Sequence, residues 1–517
     1  MFVDTHAHID FEDFTDELDN VISRAWDVGV RTIVIPSIEA KTMQKAASIA
    51  ESFPHIWFAA GWHPSDADSF DESLFKHYLG HPKCIAIGEI GLDFYREHTE
   101  KSLQIEVFRK QLGIAADRSL PVIIHIREAW DEARKIIDEF PEVVCDFHAF
   151  SGGAEEVEWI VQRSGYMGLG GPLTFKNFKR SETIETIPMG NILLETDCPF
   201  LAPHPHRGNR NEPSFIPLIA DKVAEFKSVE LDKVEMVTTA NLKRFLGIPM
   251  PISISNKNIA KRSLSQNFLC DDNIIKKFVS IINKTDLIIE IGAGNGEITS
   301  YLPEKSLNIW VTEPDWGRIP ALKKAAPETI ILPMKVQNID LKGLCSFEGK
   351  KATIVGNLPY ADSSQIIFQI IEHRDIIDRA IIMIQKEFAE RLCACPGSKK
   401  YGIPSVLLSL FFDVNYQFDV SPHCFKPVPR VDSSVISMVP RKETPAQKVE
   451  YHLLKDIIKS AFSHRRKTIA NSMKWAFGQY DLIPILKTVG INPSDRAENI
   501  SPESFVNLAI ALGKTVL

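Results

Sequence analysis

Eight short β-rich runs alternate with amphipathic helical stretches across the first 250 residues, and few folds accept that pattern. The runs are Phe2–His8, Thr32–Pro36, Trp57–Gly61, Cys84–Glu89, Pro121–His125, Val143–His148, Tyr166–Gly170 and Asn191–Asp197. Eight strands separated by helices in about 250 residues is the arithmetic of a (β/α)8 (TIM) barrel, whose active-site groups gather at the C-terminal strand ends. The chain has 517 residues, so a second body of similar size follows.

Charge marks the same division. The net charge of −8 combines an acidic part with a basic one: residues 1–250 carry 25 Lys and Arg against 40 Asp and Glu, a net of −15, and the remainder carry 34 against 27, a net of +7. Of the 15 histidines, 11 precede residue 251. An acidic, His-rich part suits cations, and a basic part suits a polyanion such as nucleic acid. The segment Gly247-Ile-Pro-Met-Pro-Ile-Ser-Ile-Ser-Asn-Lys-Asn258 reads as a linker with a boundary near residue 255. The expected domains are 1–250, a linker at 251–258, then 259–445 and a helical closing subdomain at 446–517. No apolar run approaches the ~18 residues that cross a bilayer. Eight cysteines without a C-x-x-C pair, and no basic lead with an apolar core at the N-terminus, fit a reduced cytoplasm.

In the first part the polar residues stand at strand ends. His6 and His8 are two apart, which on a strand places both imidazoles on one face. Glu89, His125, His148 and Asp197 are expected at the ends of the fourth, fifth, sixth and eighth strands. Six nitrogen and oxygen ligands at one barrel mouth suit two divalent ions, Zn, Mn or Mg, bridged by a carboxylate. Such a pair acidifies water and stabilises both oxygens of a phosphoryl displacement. Arg96, Arg127, Lys176 and Arg207 are candidates to hold flanking phosphates.

The segments Asp4-Thr-His-Ala-His-Ile-Asp10, Gly61-Trp-His-Pro64, Ile87-Gly-Glu-Ile-Gly-Leu-Asp93, Leu120-Pro-Val-Ile-Ile-His125, His148-Ala-Phe-Ser-Gly152 and Leu194-Glu-Thr-Asp-Cys-Pro-Phe-Leu-Ala-Pro203 resemble the TatD family of metal-dependent DNases, over residues 1 to about 248. The resemblance implies a two-metal hydrolase, often a 3′→5′ exonuclease on DNA or RNA. It makes His6, His8, Glu89, His125, His148 and Asp197 ligands, with Glu89 bridging, and His63 a substrate-side or supporting residue. Glu89 and Asp197 are its catalytic residues.

The second part opens on Leu287-Ile-Ile-Glu-Ile-Gly-Ala-Gly-Asn-Gly296, an apolar strand running into a glycine-rich turn. Strands are expected near Trp310–Glu313, Thr329–Leu332, Ala352–Asn357, Ile381–Gln385, Ser405–Phe412 and Ser433–Met438, which describes an open, Rossmann-like doubly wound sheet. Glycine lets backbone approach a ligand, and Glu313 at the next strand end suits ribose hydroxyls; together they point to an adenosine ligand without choosing among several. Asn357-Leu-Pro-Tyr360 narrows the choice. The Asn357 carboxamide and the Leu358 or Pro359 carbonyl can accept hydrogen bonds from an adenine amine, and Tyr360 can stack on a base taken out of its helix.

Ser265-Gln-Asn-Phe-Leu269, Glu290-Ile-Gly-Ala-Gly294, Gly356-Asn-Leu-Pro-Tyr360, Gln385-Lys-Glu387, Pro396-Gly-Ser398, Phe425-Lys-Pro-Val-Pro-Arg-Val-Asp-Ser433, Arg465-Arg-Lys-Thr468 and Arg496-Ala-Glu-Asn-Ile500 resemble the KsgA/RsmA small-subunit rRNA dimethyladenosine transferases over about residues 258–515. The resemblance implies dimethylation at N6 of two adjacent adenosines of 16S rRNA by S-adenosyl-L-methionine. Asn267, Leu269, Gly292, Gly294, Glu313 and Asn357 would bind the donor. Asn357 and Tyr360 would hold the target base with Phe425 stacked on it, and Arg465, Arg466 and Lys467 would meet RNA phosphates. One position departs: an Asp that meets the donor's adenine amine in the family is Lys335 here, which cannot accept a hydrogen bond. Gln337 or a backbone group is expected to substitute, or donor affinity to fall. Ala361, where the family commonly has Asn, is a smaller departure.

The expectation is a bifunctional enzyme with DNA or RNA and the small ribosomal subunit as partners and no membrane. The alternatives are a small-ester or amide hydrolase in the first part, and in the second a catalytically weak ribosome-assembly factor or a large-subunit methyltransferase.

Overall fold

The computed structural model describes residues 1–96, 98–247, 267–464 and 466–516. The expected linker, residues 259–266 and Arg465 lie outside the described residues. The chain divides into two compact units; each is described by itself, with Ile330–Pro333 described with the sheet to which its strand is hydrogen-bonded.

The first unit is the expected barrel. Strands β1 (Phe2–Asp4), β2 (Val30–Pro36), β3 (Ile56–Ala60), β4 (Cys84–Asp93), β5 (Val122–Arg127), β6 (Cys145–Phe147), β7 (Tyr166–Leu169) and β8 (Ile192–Leu194) form one sheet in sequence order. Each consecutive pair is parallel. The ring closes where the Thr5 N–H donates to the Leu194 carbonyl at 3.0 Å and Ala7 bridges Cys198. Runs such as Thr32-Ile-Val-Ile35 and Val122-Ile-Ile124 are apolar on both faces because a parallel strand is covered on both. The helices show the other period: Leu18–Asp27 buries Val21, Ile22 and Ala25 and leaves Asp19 and Asn20 outside, and Val21 and Ile22 contribute about 1.5–3 kcal/mol each.

Strand ends differ from the expected ones in ways that matter for the site. β4 runs four residues past Glu89, so Glu89 is interior and Asp93 ends the strand. β1 stops at Asp4 and β8 at Leu194, which leaves His6, His8 and Asp197 on the segments that follow. The Ala7–Cys198 bridge keeps the His6-Ala7-His8 stretch extended, so its alternation survives beyond the strand.

The second unit has a seven-stranded sheet in the order β12-β11-β10-β13-β14-β17-β15 and a small ladder of β9 (Phe268–Leu269) with β16 (Phe425–Lys426). The sheet strands are β10 (Ile288–Ile291), β11 (Ile309–Thr312), β12 (Ile330–Leu332), β13 (Ala352–Asn357), β14 (Ile377–Gln385), β15 (Phe412–Val420) and β17 (Ser433–Pro440). β10 pairs in parallel with β11 on one side and β13 on the other, while β17 is antiparallel to both β14 and β15. The strand order reverses at β10, and a doubly wound sheet binds its ligand at such a switch point. Helices Tyr451–Phe462, Ile469–Phe477, Leu482–Thr488 and Pro502–Val516 follow.

One expected strand is a helix. Ser405–Phe412 falls on helix Ile403–Phe411, and the strand begins only at Phe412. All of the run but Ser409 is buried, so neither period stands out in it. Its start carries helix signals instead: Pro404 in the first turn and the Ser405 hydroxyl accepting the Gly402 N–H at 3.1 Å. Among the described residues, no helix is long and apolar enough to cross a membrane.

Candidate functional sites

At the barrel mouth the donor atoms form two groups that share one carboxylate. His6 Nε2 and His8 Nε2 lie 3.1 Å apart. Glu89 Oε2 is 3.3 Å from the first and 3.5 Å from the second, and Asp197 Oδ1 is 3.8 and 3.7 Å from them. The other oxygen of the same residue, Glu89 Oε1, is 2.8 Å from His125 Nδ1 and 3.1 Å from His148 Nε2, and those two nitrogens are 3.3 Å apart. Ligands about 2.0–2.2 Å from a tetrahedral ion stand ~3.4 Å from one another, so each group has the spacing of ligands around an ion. His63 Nε2 lies 3.7 Å from Glu89 Oε1, beside the second group.

The strand packing explains why Glu89 reaches both. A Cβ on Gly91 would lie 1.9 Å from the His125 carbonyl oxygen, so only glycine lets β4 press this closely on β5. Asp197 takes a left-handed φ of 55°, and its N–H donates to the His6 carbonyl at 2.8 Å; this joins the eighth strand's end to the first.

The electrostatics call for cations. Burial pushes Asp197 up to about 6 and pushes His8 and His63 down to about 3. Burial opposes the charge on Glu89 as well, yet His148 and His6 hold it well below the usual carboxylate range. His148 is likewise raised against its own burial, by Glu89 and Glu195. Buried imidazole nitrogens turned toward one another and toward carboxylate oxygens are a donor set that divalent ions satisfy, so the residues fit a metal pair.

Two supporting carboxylates were not singled out from the sequence. Glu195 Oε1 lies 3.6 Å from His148 Nδ1 and accepts the Ala149 N–H at 2.6 Å. Asp93 Oδ2 lies 3.5 Å from His125 Nε2. The available signal was their position beside ligand-bearing runs, in Glu195-Thr-Asp197 and at the end of the β4 run. Of the candidate phosphate-binding cations, Arg127 stacks on Tyr95 at 3.8 Å and Arg207 on Phe175 at 4.3 Å, while Arg96 and Lys176 are exposed.

In the second unit a crevice opens at the β10 switch point. Asn267, Leu269, Gly292, Gly294, Glu313, Asn357 and Tyr360 line it, together with Lys335 and Asp362. Gly292 and Gly294 have φ of 71° and 63°, a conformation that favours glycine. Glu313 Oε2 accepts the Gly294 N–H and Oε1 the Asp315 N–H, both at 2.8 Å, which aims the carboxylate into the turn; burial pushes it up to about 7. The Asn357 Nδ2 donates to the Asn267 carbonyl at 3.0 Å, and this turns Oδ1 to the accepting position. The Tyr360 hydroxyl pairs with Ser433 Oγ at 2.7 Å. The Pro359 carbonyl already receives the Asp362 N–H and the Ser363 hydroxyl, leaving the Leu358 carbonyl as the second acceptor. An open glycine turn, an aimed carboxylate and an amide-carbonyl pair fit an adenosine-containing donor.

Phe425 is buried opposite Leu269 in the small ladder and is not among the described residues lining the crevice. Arg466 and Lys467 are exposed between the helices Tyr451–Phe462 and Ile469–Phe477.

Comparison with known proteins matches each part of the chain to a family. Residues 3–247 match the family model for TatD related DNase, and residues 257–514 the model for ribosomal RNA adenine dimethylase. An uncharacterized metal-dependent hydrolase of Bacillus subtilis, YabD, is 41% identical over 254 residues, covering 48% of this chain and 100% of that protein. Ribosomal RNA small subunit methyltransferase A of Geobacter metallireducens is 35% identical over 262 residues, covering 49% of this chain and 95% of that protein. Its counterpart in Francisella tularensis subsp. novicida is 38% identical over 260 residues, covering 49% and 97%. The chain therefore belongs to two enzyme families at once, joining a TatD-type metal-dependent hydrolase to a ribosomal RNA adenine dimethyltransferase.

Proposed function

We propose that the first unit hydrolyses phosphodiester bonds of DNA or RNA from the 3′ end, and that the second dimethylates N6 of two adjacent adenosines of small-subunit 16S rRNA. Both activities are assigned to the cytoplasm.

For the hydrolase, the supporting observation is the division of Glu89 between two nitrogen groups. His6, His8, Asp197 and Glu89 Oε2 would hold one divalent ion, and His125, His148 and Glu89 Oε1 the other, with Zn, Mn and Mg as candidates. Bound there, such ions supply Lewis-acid polarisation of the phosphodiester and acidify water. The Asp197 carboxylate takes the proton from the attacking water. Glu195 and Asp93 hold the His148 and His125 rings, and His63 faces the substrate side. The barrel's net negative charge disfavours nucleic acid at long range, so Arg127 and Arg207 carry the local attraction. The test is digestion of a 3′-labelled oligonucleotide by the metal-loaded chain; release of mononucleotides from the 3′ end is expected, and hydrolysis confined to small esters or amides overturns the reading.

For the transferase, the supporting observation is the fixed Asn357 carboxamide beside the glycine crevice. S-adenosyl-L-methionine supplies the methyl group. Asn267, Leu269, Gly292, Gly294 and Glu313 bind it, with the Glu313 carboxylate accepting from ribose hydroxyls. Asn357 Oδ1 and the Leu358 carbonyl accept both hydrogens of the target amine, which orients its lone pair toward the methyl. The Tyr360 ring, held by Ser433, packs against the base. Arg465, Arg466 and Lys467 contact RNA phosphates, and Phe425 acts by supporting Leu269. Methylation of unmethylated small subunits, mapped by primer extension, tests this; modification confined to large subunits overturns it.

A further inference from the structure

An ion pair forms part of the crevice wall. Lys335 precedes the short turn Val336–Asn338 after β12, and Asp362 precedes the helix Ser363–Glu372 after β13. Lys335 Nζ donates to Asp362 Oδ2 at 2.9 Å, and both side chains line the crevice with Gly292, Glu313 and Asn357.

We propose that Asp362 is the residue that recognises the exocyclic amine of the methyl donor's adenine, with Lys335 as a positioning residue that holds its carboxylate; this rests on the reading of the crevice as the donor site. An adenine ring brings two N–H donors into the crevice, and leaving them unpaired there is unfavourable. Lys335 has only donors to offer. Among the carboxylates of the wall, Glu313 holds a backbone N–H on each oxygen, and its remaining acceptor sites are those assigned above to the ribose hydroxyls. Glu297 is engaged at both by Asn295; Glu290 Oε2 has no hydrogen-bond partner, but the side chain is 1% exposed and burial pushes its carboxyl up to about 8, which keeps it in the neutral acid form. Asp362 is different: Oδ2 is taken by Lys335, and Oδ1 receives no hydrogen bond from a described residue.

Charge supports the same assignment. A lone lysine on this wall would repel a sulfonium donor, whereas the Lys335–Asp362 pair is neutral and leaves one carboxylate oxygen to accept. At 44% and 26% side-chain exposure the pair is solvent-screened and contributes little to folding, so either partner can be replaced without loss of the fold.

The experiment is calorimetric titration of the full chain with S-adenosylhomocysteine and with its inosine counterpart, in which a carbonyl oxygen replaces the amine. The wild-type chain should prefer the adenine compound by about 10- to 100-fold, the worth of one hydrogen bond to a charged group. Asp362→Ala should weaken adenine binding by that factor, leave inosine binding unchanged and so erase the preference. Asp362→Asn, which keeps an acceptor oxygen without the charge, should retain part of it, as should Lys335→Ala. A full preference surviving in Asp362→Ala overturns the assignment alone. Wild-type chain that binds neither compound overturns the donor-site reading as well, and favours an assembly factor that binds rRNA without transferring methyl groups.

Discussion

His6 and His8 turn their Nε2 atoms to within 3.1 Å of each other in the buried mouth of the barrel. Without a cation the two nitrogens can satisfy each other only by sharing one proton, whereas a divalent ion accepts both lone pairs at once. Zinc or manganese should therefore raise the melting temperature of the full chain. The gain should approach about 2.7 kcal/mol at a hundredfold excess over Kd. Thermal unfolding with and without chelator measures it, and His8→Ala should lose most of the increment.

The shared carboxylate makes a second expectation. Glu89→Gln should lower the metal content from two ions per chain and cut nuclease turnover by roughly 10²- to 10³-fold, as loss of one preorganised electrostatic group does elsewhere. His125→Ala and Asp197→Ala should abolish digestion while sparing methyl transfer, and Asn357→Ala should do the reverse. Elemental analysis and the two activity assays on the same preparations decide; a joint loss would contradict independent sites.

Glu195 Oε1 lies 3.6 Å from His148 Nδ1, on the ring edge away from Glu89. Orienting partners of this kind typically carry 10- to 100-fold in metal affinity. Glu195→Gln should weaken binding of one of the two ions by about that factor, read by calorimetry with zinc, with the other ion's affinity nearly unchanged.

Burial raises the Glu313 carboxyl to about 7. Ribose hydroxyls bonded to the ionised form would favour it, so donor binding should release a proton. Affinity should then rise with pH and be about tenfold weaker at pH 6 than at pH 8, levelling above. Calorimetry across this range should show the slope, and Glu313→Gln should show weak binding with a flat profile.

Local information was enough for the architecture. The eight apolar runs and their spacing determined the barrel, because parallel strands covered on both faces need continuous apolar residues and the intervening helices need a 3.6-residue stripe. The glycine turn after β10, Glu313 and Asn357-Leu-Pro-Tyr360 marked the second crevice in chain order. Local information failed at Ser405–Phe412, where burial of every residue but Ser409 obscured the periodicity that separates helix from strand.

The amino-acid order by itself determined which polar side chains accompany each strand run and which turns favour glycine; where each strand stops it did not determine. The tertiary structure decided which of them meet. The Thr5 hydroxyl and the Leu194 carbonyl, 189 positions apart, join across the closing seam, and only that closure brings Asp197 to His6. Likewise only the packing of the β12 and β13 ends pairs Lys335 with Asp362. Propensity acts over a few residues, whereas these distances are set by how whole strands tilt and close, and no local pattern carries that information.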